Sequence, residues 1–327
     1  MLRSDASSNK STVIGVDVGG TKIAAALVNK TGDLHGYLIR RTNILSPQAT
    51  LDSIARTILD LLKQENFPRD EIRGVGLGIP GLVDPQKGIG IASVNLNWEN
   101  VFVRDEIQKR VGIPCVIEND VKAAALGELR YGASKGIKNL VYLNIGTGVA
   151  AAIILDGKVY RGQNDMAGEI GHAVVDIHGP KCKCGGQGCL EAIVSGPAII
   201  SRLTRKIELG QDSIFATQIT NTSKITVEEI YEAASEGDRA ALETVREVSR
   251  YLAIAIQYLA LAYDPHRIVL GGGVVYSTPL FFEHLMQAIT QLSQESWVSR
   301  HLLTPNFITV TQLGSNIGVL GAAALVP

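Results

Sequence analysis

Apolar residues in the first third of the chain fall into short runs separated by polar turns. The β-branched run TVIGVDV at residues 12–18 predicts a strand, and residues 23–28 and 32–41 predict two more. Residues 47–64 instead carry apolar side chains at helical spacing, and a further buried strand follows at residues 74–79. Three strands, a helix and another strand indicate an α/β sheet with an antiparallel part.

The remaining pattern repeats this alternation and then becomes mainly helical. A short helix at residues 101–110 and a strand at 113–117 lead into a helix at 121–131. Strands at 140–145 and 149–155 open a second α/β unit. Beyond them we predict helices at 195–209, 226–235, 238–263, 281–294 and 318–325, and strands at 267–270 and 307–311.

The chain length favours two domains. With 327 residues, the chain suits two domains of about 150 residues each. We predict a small α/β domain formed by residues 12–120 plus 312–327. We predict a large α/β domain formed by residues 121–311, which carries a zinc-binding loop and a helical segment.

Composition and charge narrow the class of partners. A net charge of −1, from 31 basic and 32 acidic residues, gives no basic excess for nucleic acid or an anionic membrane. The polar segment Met1–Ser11 lacks the apolar core of a secretory signal. The longest apolar stretch, residues 251–263, is interrupted by a glutamine and is too short to span a membrane. We therefore expect a cytoplasmic protein that acts on small molecules.

A cluster of cysteines lies between residues 168 and 191. Three of the four cysteines, Cys182, Cys184 and Cys189, fall within eight residues, and His172 lies ten positions before the first. Three thiolates and an imidazole make a tetrahedral zinc set, and the intervening glycines let the backbone aim three sulfurs at one point. A disulfide plus a spare thiol is the alternative, although nothing in the chain suggests an oxidising compartment. We predict a structural zinc ion.

Two carboxylates, Glu169 and Glu191, bracket this zinc set. Because a Cys3His set needs no further ligand, both carboxylates are free for another task.

A glycine turn joins the first two predicted strands. The turn is Gly19-Gly20-Thr21-Lys22, and a single residue, Val18, separates it from Asp17. Glycine lets backbone N–H groups approach phosphate oxygens closely, and Thr21 adds a hydroxyl donor. Asp17 would face the magnesium ion of a nucleotide through water. An ordinary tight hairpin with a capping aspartate explains so short a motif equally well.

Two later turns repeat this logic. Asn144-Ile145-Gly146-Thr147-Gly148 is again a strand, a small polar turn and a strand, which suggests an ancient duplication that could hold a polyphosphate between two domains. Gly271-Gly272-Gly273 follows the strand at 267–270, and its bare backbone would let a purine lie against the chain. Independent tight turns are the alternative in both places.

A carboxylate at a strand-to-helix junction is the candidate for proton transfer. Glu118-Asn119-Asp120 follows the strand at 113–117. Ligands of open α/β sheets bind at the carboxyl ends of strands, where a carboxylate can accept a proton from a hydroxyl during phosphoryl transfer. A helix N-cap is the alternative. The polar loop at 93–98, with Asn95 and Asn97, suits either a cleft lining or plain turn chemistry.

Seven motifs, in this order and spacing, resemble the ROK family of repressors, open reading frames and sugar kinases. The similarity extends from about Thr12 to Leu325 and implies a two-domain actin-like ATPase (ribonuclease H-like) sugar kinase fold with a cleft between the domains. The motifs are DVGGTK at 17–22, GIPGLVD at 78–84, END at 118–120, NIGTGV at 144–149, AGEIGH at 167–172, CKCGGQGCLE at 182–191 and LGGGV at 270–274.

The resemblance also implies residue roles. Asp120 would be the catalytic base on the sugar hydroxyl that attacks the γ-phosphate of ATP, and would contact the sugar. Further sugar contacts would come from Asn119, Glu169, His172 and Glu191, and more weakly from Gly81 and Asn95. The ATP phosphates and Mg2+ would be lined by Asp17, Gly19, Gly20, Thr21, Lys22, Thr147 and Gly148, and the adenosine would be bordered by Gly272 and Gly273. The zinc ligands would be His172, Cys182, Cys184 and Cys189.

The activity implied by the resemblance is ATP-dependent phosphorylation of a hexose. The AGEIGH motif favours glucose and its 6-hydroxyl, while kinases for N-acetylmannosamine, N-acetylglucosamine or fructose share most of these residues. A sugar-responsive repressor is disfavoured, because repressor members carry a helix-turn-helix before the first glycine turn, where only eleven residues stand here. The intact Asp120 disfavours a sugar-binding regulator without catalysis. We expect a homodimer or homotetramer.

One departure from the family pattern concerns the nucleotide. Ala150-Ala151-Ala152 stands where many members carry further glycines, which puts nucleotide affinity in question.

Overall fold

The computed structural model describes residues 10–218, 225–304 and 306–327, so most of the polar segment before the first strand lies outside the described residues. The chain divides into two compact units. Unit 1 comprises residues up to Ile137, Arg161–Met166 and Asn316–Pro327, and unit 2 comprises Lys138–Tyr160 and Ala167–Ser315. The two predicted domains, with boundaries after residues 120 and 311, stay a prediction. In the structure, the helix that follows Asn119 belongs to unit 1.

The described elements alternate between strands and helices, as expected for a mixed α/β protein. The first part of the chain contains β1 (Thr12–Val18), β2 (Lys22–Val28), β3 (Leu34–Arg41), α1 (Pro47–Gln64), β4 (Ile72–Ile79), β5 (Leu82–Asp84), β6 (Ile89–Ser93), β7 (Trp98–Val101), α2 (Val103–Val111), β8 (Cys115–Asn119) and α3 (Asp120–Tyr131). The second part contains β9 (Leu140–Ile145), β10 (Val149–Leu155), β11 (Lys158–Tyr160), α4 (Glu191–Val194), α5 (Gly196–Glu208), α6 (Val227–Ser235), α7 (Arg239–Tyr263), β12 (Arg267–Gly271), α8 (Gly273–Ser277), α9 (Pro279–Glu295), α10 (Trp297–Leu302), β13 (Ile308–Val310) and α11 (Ile317–Ala324).

The main sheet of unit 1 has the strand order β3-β2-β1-β4-β8. The first three strands form an antiparallel meander, and β4 and β8 continue the sheet parallel to β1. β2 and β4 are buried on both faces, as their unbroken apolar runs predict, whereas the edge strand β3 alternates between half-buried and exposed residues. The three parallel strands therefore end at the same edge of the sheet.

Small residues let the last helix lie directly on this sheet. A Cβ atom on Gly15 of β1 would stand 1.9 Å from the Val319 carbonyl oxygen, and one on Gly76 of β4 would stand 1.8 Å from that of Ala322. α3 packs closely against the same helix, since a Cβ atom on Gly127 would stand 2.7 Å from the Gly321 Cα atom. Glycine is therefore required at these two positions, where α11 crosses β1 and β4.

A small second sheet in unit 1 was not predicted. β5, β6 and β7 pair antiparallel in that order, so the polar loop predicted at 93–98 is only the turn between β6 and β7. Buried Leu96 and Trp98 anchor that turn, and the following helix begins at Val103 rather than at residue 101. Strands of three to five residues are too short to show a clear alternation.

The main sheet of unit 2 repeats the topology of the first. Its strand order is β11-β10-β9-β12-β13, again an antiparallel meander followed by two strands parallel to the first. The predicted strands at 140–145 and 149–155 are confirmed as β9 and β10. The shared topology agrees with the duplication that the two glycine turns suggested.

The helices of unit 2 pack around α7. Its buried face includes Val245, Val248, Leu252 and Ile256, at the spacing that predicted it, and Asp264 ends the helix in the left-handed conformation. The predicted capping box is present at α6: the Glu229 amide donates to the Thr226 hydroxyl, and the Thr226 amide donates to the Glu229 carboxylate. Among the helices of the described residues, none combines the length and apolar character needed to cross a bilayer.

Candidate active site and zinc site

The parallel strands of unit 1 place three predicted segments side by side. Across the sheet, Asp17 of β1 pairs with Gly78 of β4, and Ile79 of β4 pairs with Asn119 of β8. The residues that follow these strands are the 19–22 turn, Pro80-Gly81 and Asp120. All three segments therefore lie at one edge, the carboxyl edge where open α/β sheets bind ligands.

The first glycine turn is held from behind and exposed in front. The Gly19 amide donates to the Lys22 carbonyl at 2.9 Å, and the Thr42 hydroxyl donates to the Gly19 carbonyl at 2.6 Å. The side chains of Thr21 and Lys22 are exposed. A Cβ atom on Gly20 would stand 2.8 Å from the Asn95 carbonyl oxygen, so only glycine fits there. The turn can thus present its backbone and the Thr21 hydroxyl to a ligand.

Asp17 lies behind this turn in a partly buried position. Burial raises the pKa of its carboxyl, and the nearby Lys22 ammonium partly offsets that rise. Room for the carboxylate comes from Gly318 of α11, because a Cβ atom there would stand 2.4 Å from the Asp17 Oδ2 atom. A nearby cation would favour the ionised form of this carboxylate, and Mg2+ binds through carboxylates while it keeps several of its waters.

At the start of α3 the structure separates the capping residue from the candidate base. Asn119 is the N-cap: its Oδ1 accepts from the Lys122 amide at 3.0 Å, and its Nδ2 donates to the Gly81 carbonyl at 3.0 Å. Asp120 is the first residue of the helix, is partly exposed, and accepts from the Val121 amide at 2.9 Å. Asp120 is therefore not needed as the cap.

Gly81 and Asn95 lie near these residues in unit 1. Gly81 has a positive φ of 101°, and a Cβ atom there would stand 2.3 Å from the Ala92 carbonyl oxygen. Asn95 is exposed in the β6–β7 turn beside Gly20. Unit 1 thus gathers Asp17, the 19–22 turn, Gly81, Asn95, Asn119 and Asp120 at one edge.

Four charged residues to which the motifs assigned no role lie next to Asn119 and Asp120. Glu118 and Lys122 are buried, and they pair with Arg161 and Asp165. The sequence carried one signal for them: Glu118 is a charge at the end of an otherwise apolar strand.

The second and third glycine turns are neighbours in unit 2. Asn144 of β9 pairs with Gly271 of β12, which brings the two turns to the same edge. Gly272 has a φ of 100°, and a Cβ atom there would stand 2.4 Å from the Ile145 carbonyl oxygen. Among the described residues, a Cβ atom on Gly273 would meet no atom within 4 Å apart from its chain neighbours and the backbone of its own helix. Open space therefore faces this turn, where the purine was predicted.

Glu191 joins the second turn to the cysteine-rich loop. Its Oε2 atom accepts from the Val149 amide at 3.0 Å, directly after the turn. A Cβ atom on Gly148 would stand 2.9 Å from the same oxygen, whereas the neighbouring Thr147 side chain is exposed. The carboxylate of Glu191, which was predicted to bind sugar, therefore contacts the turn that was predicted to bind phosphate.

The AGEIGH segment lies against β10. The Ala151 amide donates to the Gly168 carbonyl at 2.7 Å, and a Cβ atom on Gly168 would stand 1.9 Å from the Ala151 carbonyl oxygen. This contact leaves Glu169 and His172 exposed. Ala151 and Ala152, part of the departure from the family pattern, are buried inside β10 rather than placed on the turn.

The four predicted zinc ligands converge in unit 2. One ligand atom from each of His172, Cys182, Cys184 and Cys189 lies within 4.8 Å of all the others. The Cys184 and Cys189 sulfurs are 3.7 Å apart, and the Cys182 sulfur is 3.8 Å from His172 Nδ1. Zinc–sulfur bonds of about 2.3 Å give a tetrahedron with edges of about 3.8 Å, whereas a disulfide needs about 2.05 Å. The arrangement fits a zinc ion.

The electrostatics of the thiols also favour a bound zinc ion. The Gly186 amide and the thiols of Cys182 and Cys189 lower the pKa of Cys184 to about 7. Burial and the thiols of Cys184 and Cys182 raise the pKa of Cys189 to about 12. Adjacent thiolates repel one another, so they cannot all ionise without a cation between them. A zinc ion would supply that charge.

Backbone hydrogen bonds fix the loop around these ligands. The Val175 amide donates to the Gly188 carbonyl at 2.9 Å, and the Leu190 amide donates to the Ala173 carbonyl at 2.9 Å. Asp176 accepts from the Tyr251 hydroxyl of α7 at 2.8 Å, and that bond lowers the pKa of Asp176. The segment holding His172 is therefore tied to the segment that leads into Glu191.

Comparisons with known proteins agree with this architecture. A family model described as "ROK family" matches residues 13–327. A glucokinase of Halalkalibacterium halodurans is 31% identical over 96% of this chain and 94% of its own. A xylose repressor of Caldicellulosiruptor bescii is 29% identical over 96% of this chain and 78% of its own. The crystal structure of a ROK family glucokinase from Streptomyces griseus, in complex with glucose and AMPPNP, superposes with a TM-score of 0.80 at 30% identity, covering 96% of this chain and 99% of that one.

The two five-stranded sheets of matching topology and this structural likeness define an α/β protein with the actin-like ATPase fold. The chain belongs to the ROK family.

Proposed function

We propose that this protein is an ATP-dependent glucokinase, which transfers the γ-phosphoryl group of ATP to the 6-hydroxyl of glucose. The observation that carries the proposal is the position of Asp120: a partly exposed carboxylate on the first turn of α3, at the carboxyl edge of the unit 1 sheet. Full-length similarity to glucokinases supports the same activity.

Asp120 acts as the base in this scheme. Its carboxylate accepts the proton of the 6-hydroxyl while the hydroxyl oxygen attacks the γ-phosphorus. The bond between that phosphorus and the β–γ bridging oxygen breaks, and ADP leaves with the bond electrons. Asn119 holds the helix start in place, since its amide is bonded to both Lys122 and Gly81.

The remaining sugar contacts are assigned to Asn119, Glu169, His172 and Glu191, with Gly81 and Asn95 nearby. Because His172 turns Nδ1 toward the Cys182 sulfur, its Nε2 atom is the one assigned to a sugar hydroxyl. Polar groups that hydrogen-bond each hydroxyl discriminate strongly against analogues that lack it. The exposed side chains of Glu169 and His172 suit this role.

The nucleotide is assigned to the glycine turns. The 19–22 turn and the Thr147-Gly148 turn would bind the phosphates through backbone amides and two threonine hydroxyls, and Gly272 and Gly273 would border the adenosine. Asp17 would hold Mg2+ through water, and that ion would neutralise charge on the phosphates during transfer.

The zinc set is assigned a structural role. His172, Cys182, Cys184 and Cys189 would occupy all four positions of the ion, so the zinc would offer none to a substrate. Its contribution would be to fix the loop between His172 and Glu191. The proposal includes a cytoplasmic location, where thiols stay reduced, and a homodimer or homotetramer.

A coupled assay for ADP release across a panel of sugars tests this function. The panel is glucose, mannose, fructose, N-acetylglucosamine and N-acetylmannosamine, each with ATP and Mg2+. We expect the highest kcat/KM with glucose, and phosphorylation at the 6-position by NMR of the product. If only an N-acetylhexosamine is phosphorylated, the substrate must be reassigned. If no sugar is phosphorylated, the kinase assignment is wrong. Light scattering at several protein concentrations measures the oligomeric state.

A further inference from the structure

A network of four charges lies behind the Asn119–Asp120 pair in unit 1. Glu118 is 3% exposed and Lys122 is 6% exposed. Between them in the sequence lie Asn119 and Asp120, which are partly exposed. An ionised side chain loses its hydration when it is buried and needs close partners of opposite charge. The partners of these two residues come from a distant part of the sequence.

The partners lie on residues 161–166, which we call the strap. Arg161 reaches both carboxylate oxygens of Glu118, with its Nη1 atom 3.2 Å from Oε1, and the same Nη1 is 3.0 Å from Asp165 Oδ1. Lys122 Nζ is 2.6 Å from the Asp165 carbonyl oxygen and 3.2 Å from Asp165 Oδ1. Two acids and two bases thus close a network in which each member has at least two contacts.

The strap is itself tightly folded. Gly162 and Asp165 both have positive φ angles, 70° and 58°. An aspartate in that conformation is uncommon and persists when surrounding contacts hold it. Between Tyr160 and Ala167, which both belong to unit 2, only these six residues belong to unit 1. The network ties this short segment to Glu118 of β8 and Lys122 of α3.

The network also reaches the backbone of the candidate base. Glu118 Oε1 accepts from the Asn119 amide at 2.9 Å, so the carboxylate that binds Arg161 also holds the residue that caps α3. Removal of Arg161 would leave a buried carboxylate with its main counter-charge gone. That carboxylate would have to protonate or turn away, which would weaken or break its hydrogen bond from the Asn119 amide.

We propose that Arg161, together with Lys122 and Asp165, is a positioning residue for phosphoryl transfer. The network holds Glu118 so that Asn119 and Asp120 stay at the sheet edge in the geometry that the reaction requires. This inference rests on the proposed function of Asp120 as the base. Misplacing a reacting group by about 1 Å can cost about 100-fold in rate.

The kinetic test compares Arg161→Met with Arg161→Lys and a matched control. Arg110→Met removes an arginine of similar exposure that also bridges two acids of unit 1, Asp52 and Glu106, away from α3. We expect Arg161→Met to lower kcat by about 30-fold or more, with KM for sugar changed by less than about threefold, and Arg161→Lys to recover part of the loss. Arg110→Met should leave kcat within about twofold.

A charge-removal variant separates positioning from simple loss of stability. The double variant Glu118→Gln/Arg161→Met removes the buried carboxylate together with its partner, and glutamine can still accept from the Asn119 amide. We expect it to regain a kcat about fivefold above that of Arg161→Met. An unchanged kcat in Arg161→Met, or an equal fall in Arg110→Met, would overturn the inference.

Hydrogen exchange tests the same network without any substrate. In Arg161→Met we expect faster exchange of the amides from Asn119 to Lys122, with no change around α2. Unchanged exchange at these amides would overturn the inference even if the wild type phosphorylates no sugar. If the wild type shows no turnover but exchange is faster, the proposed function has failed while the positioning network stands.

Discussion

Unit 1 and unit 2 each build a sheet from an antiparallel meander followed by two parallel strands, and each carries a glycine turn after its first strand. The loops at the strand ends differ in kind. Besides its glycine turn, unit 1 places two acids, Asp17 and Asp120, and one amide side chain, that of Asn119, at this edge. Unit 2 places bare backbone there, in the turns around Gly146 and Gly272, and borrows a single carboxylate from Glu191.

This difference shows how one scaffold can serve two tasks. The shared strand order fixes where the loops lie, because parallel strands always present their carboxyl ends at one edge. The side chains in those loops then decide the chemistry. Acids suit proton transfer and cation binding, while backbone amides with no side chains suit phosphates and a flat base. Each unit can be tested by altering its own edge.

The largest expected effect comes from the acid on α3 of unit 1. Asp120→Asn keeps a hydrogen-bonding side chain but cannot take a proton, so kcat should fall about 1,000-fold while KM for sugar stays within several-fold. Steady-state kinetics with ATP and glucose measure both. The exposed acid Asp105 of α2 supplies the control, since Asp105→Asn should change neither constant. Near-normal turnover by Asp120→Asn would remove this residue from the base role.

The next largest effect concerns the zinc loop of unit 2. Cys184→Ser removes one of four ligands, so bound zinc should fall well below roughly one ion per chain and KM for glucose should rise about tenfold. Metal content by mass spectrometry and steady-state kinetics test this together. Cys115→Ala is the control: that thiol is buried in β8, burial raises its pKa to about 12, and zinc content should not change. A zinc-free variant with unchanged sugar affinity would separate the loop from the sugar site.

A smaller effect is expected at the bare edge of unit 2. Gly273→Ala adds a Cβ atom that meets no described residue outside its own helix and chain neighbours within 4 Å, at a helical position where alanine is favourable. The melting temperature should not fall, but KM for ATP should rise about fivefold because the methyl group occupies space assigned to adenosine.

The control for this change is Ala150→Gly, which introduces a glycine at the position where the chain departs from the family pattern. It lies inside β10 and should cost about 0.5–1 kcal/mol of stability without improving ATP affinity. An unaltered KM for ATP in Gly273→Ala would move the adenosine away from this turn.

The smallest effect concerns the free protein. Burial raises the pKa of Asp17, so its ionised form destabilises the folded state at neutral pH, and that cost disappears as pH falls through the raised pKa. Asp17→Asn should therefore be slightly more stable than the wild type at pH 7, with the difference shrinking toward pH 4, while ATP binding weakens. Thermal unfolding across this pH range measures it. A stability gain that grows on acidification would contradict the assignment.

Much of the fold could be predicted from local pattern. The strands β1, β9 and β10 and the helix α1 have the predicted bounds, because each is long enough to show its period clearly. The sheet of β5, β6 and β7, the short strand β11 and the helices α4, α8 and α10 were not predicted. Each of those helices spans only four to six residues, less than two turns.

The candidate site shows the same division. The glycine turns, Asp120 and the Cys3His set were visible as motifs, since their residue types announce their chemistry. The strap was not visible: Arg161 and Glu118 are 43 positions apart, and neither belongs to a pattern that predicts the other. Their pairing depends on where the chain returns to unit 1 after β11, which no local signal encodes.

The sequence by itself determined the chemistry available to this protein: which side chains can bind zinc, take a proton or leave backbone bare for phosphate. Only the tertiary structure decided which of these groups meet. It set the strand order that places Asp17, Gly81 and Asn119 along one edge, the close approach of α11 that requires glycine in β1 and β4, and the buried charges paired by the strap. The physical reason is that residue types and short-range periods are local properties, whereas packing and charge pairing depend on contacts between distant parts of the chain.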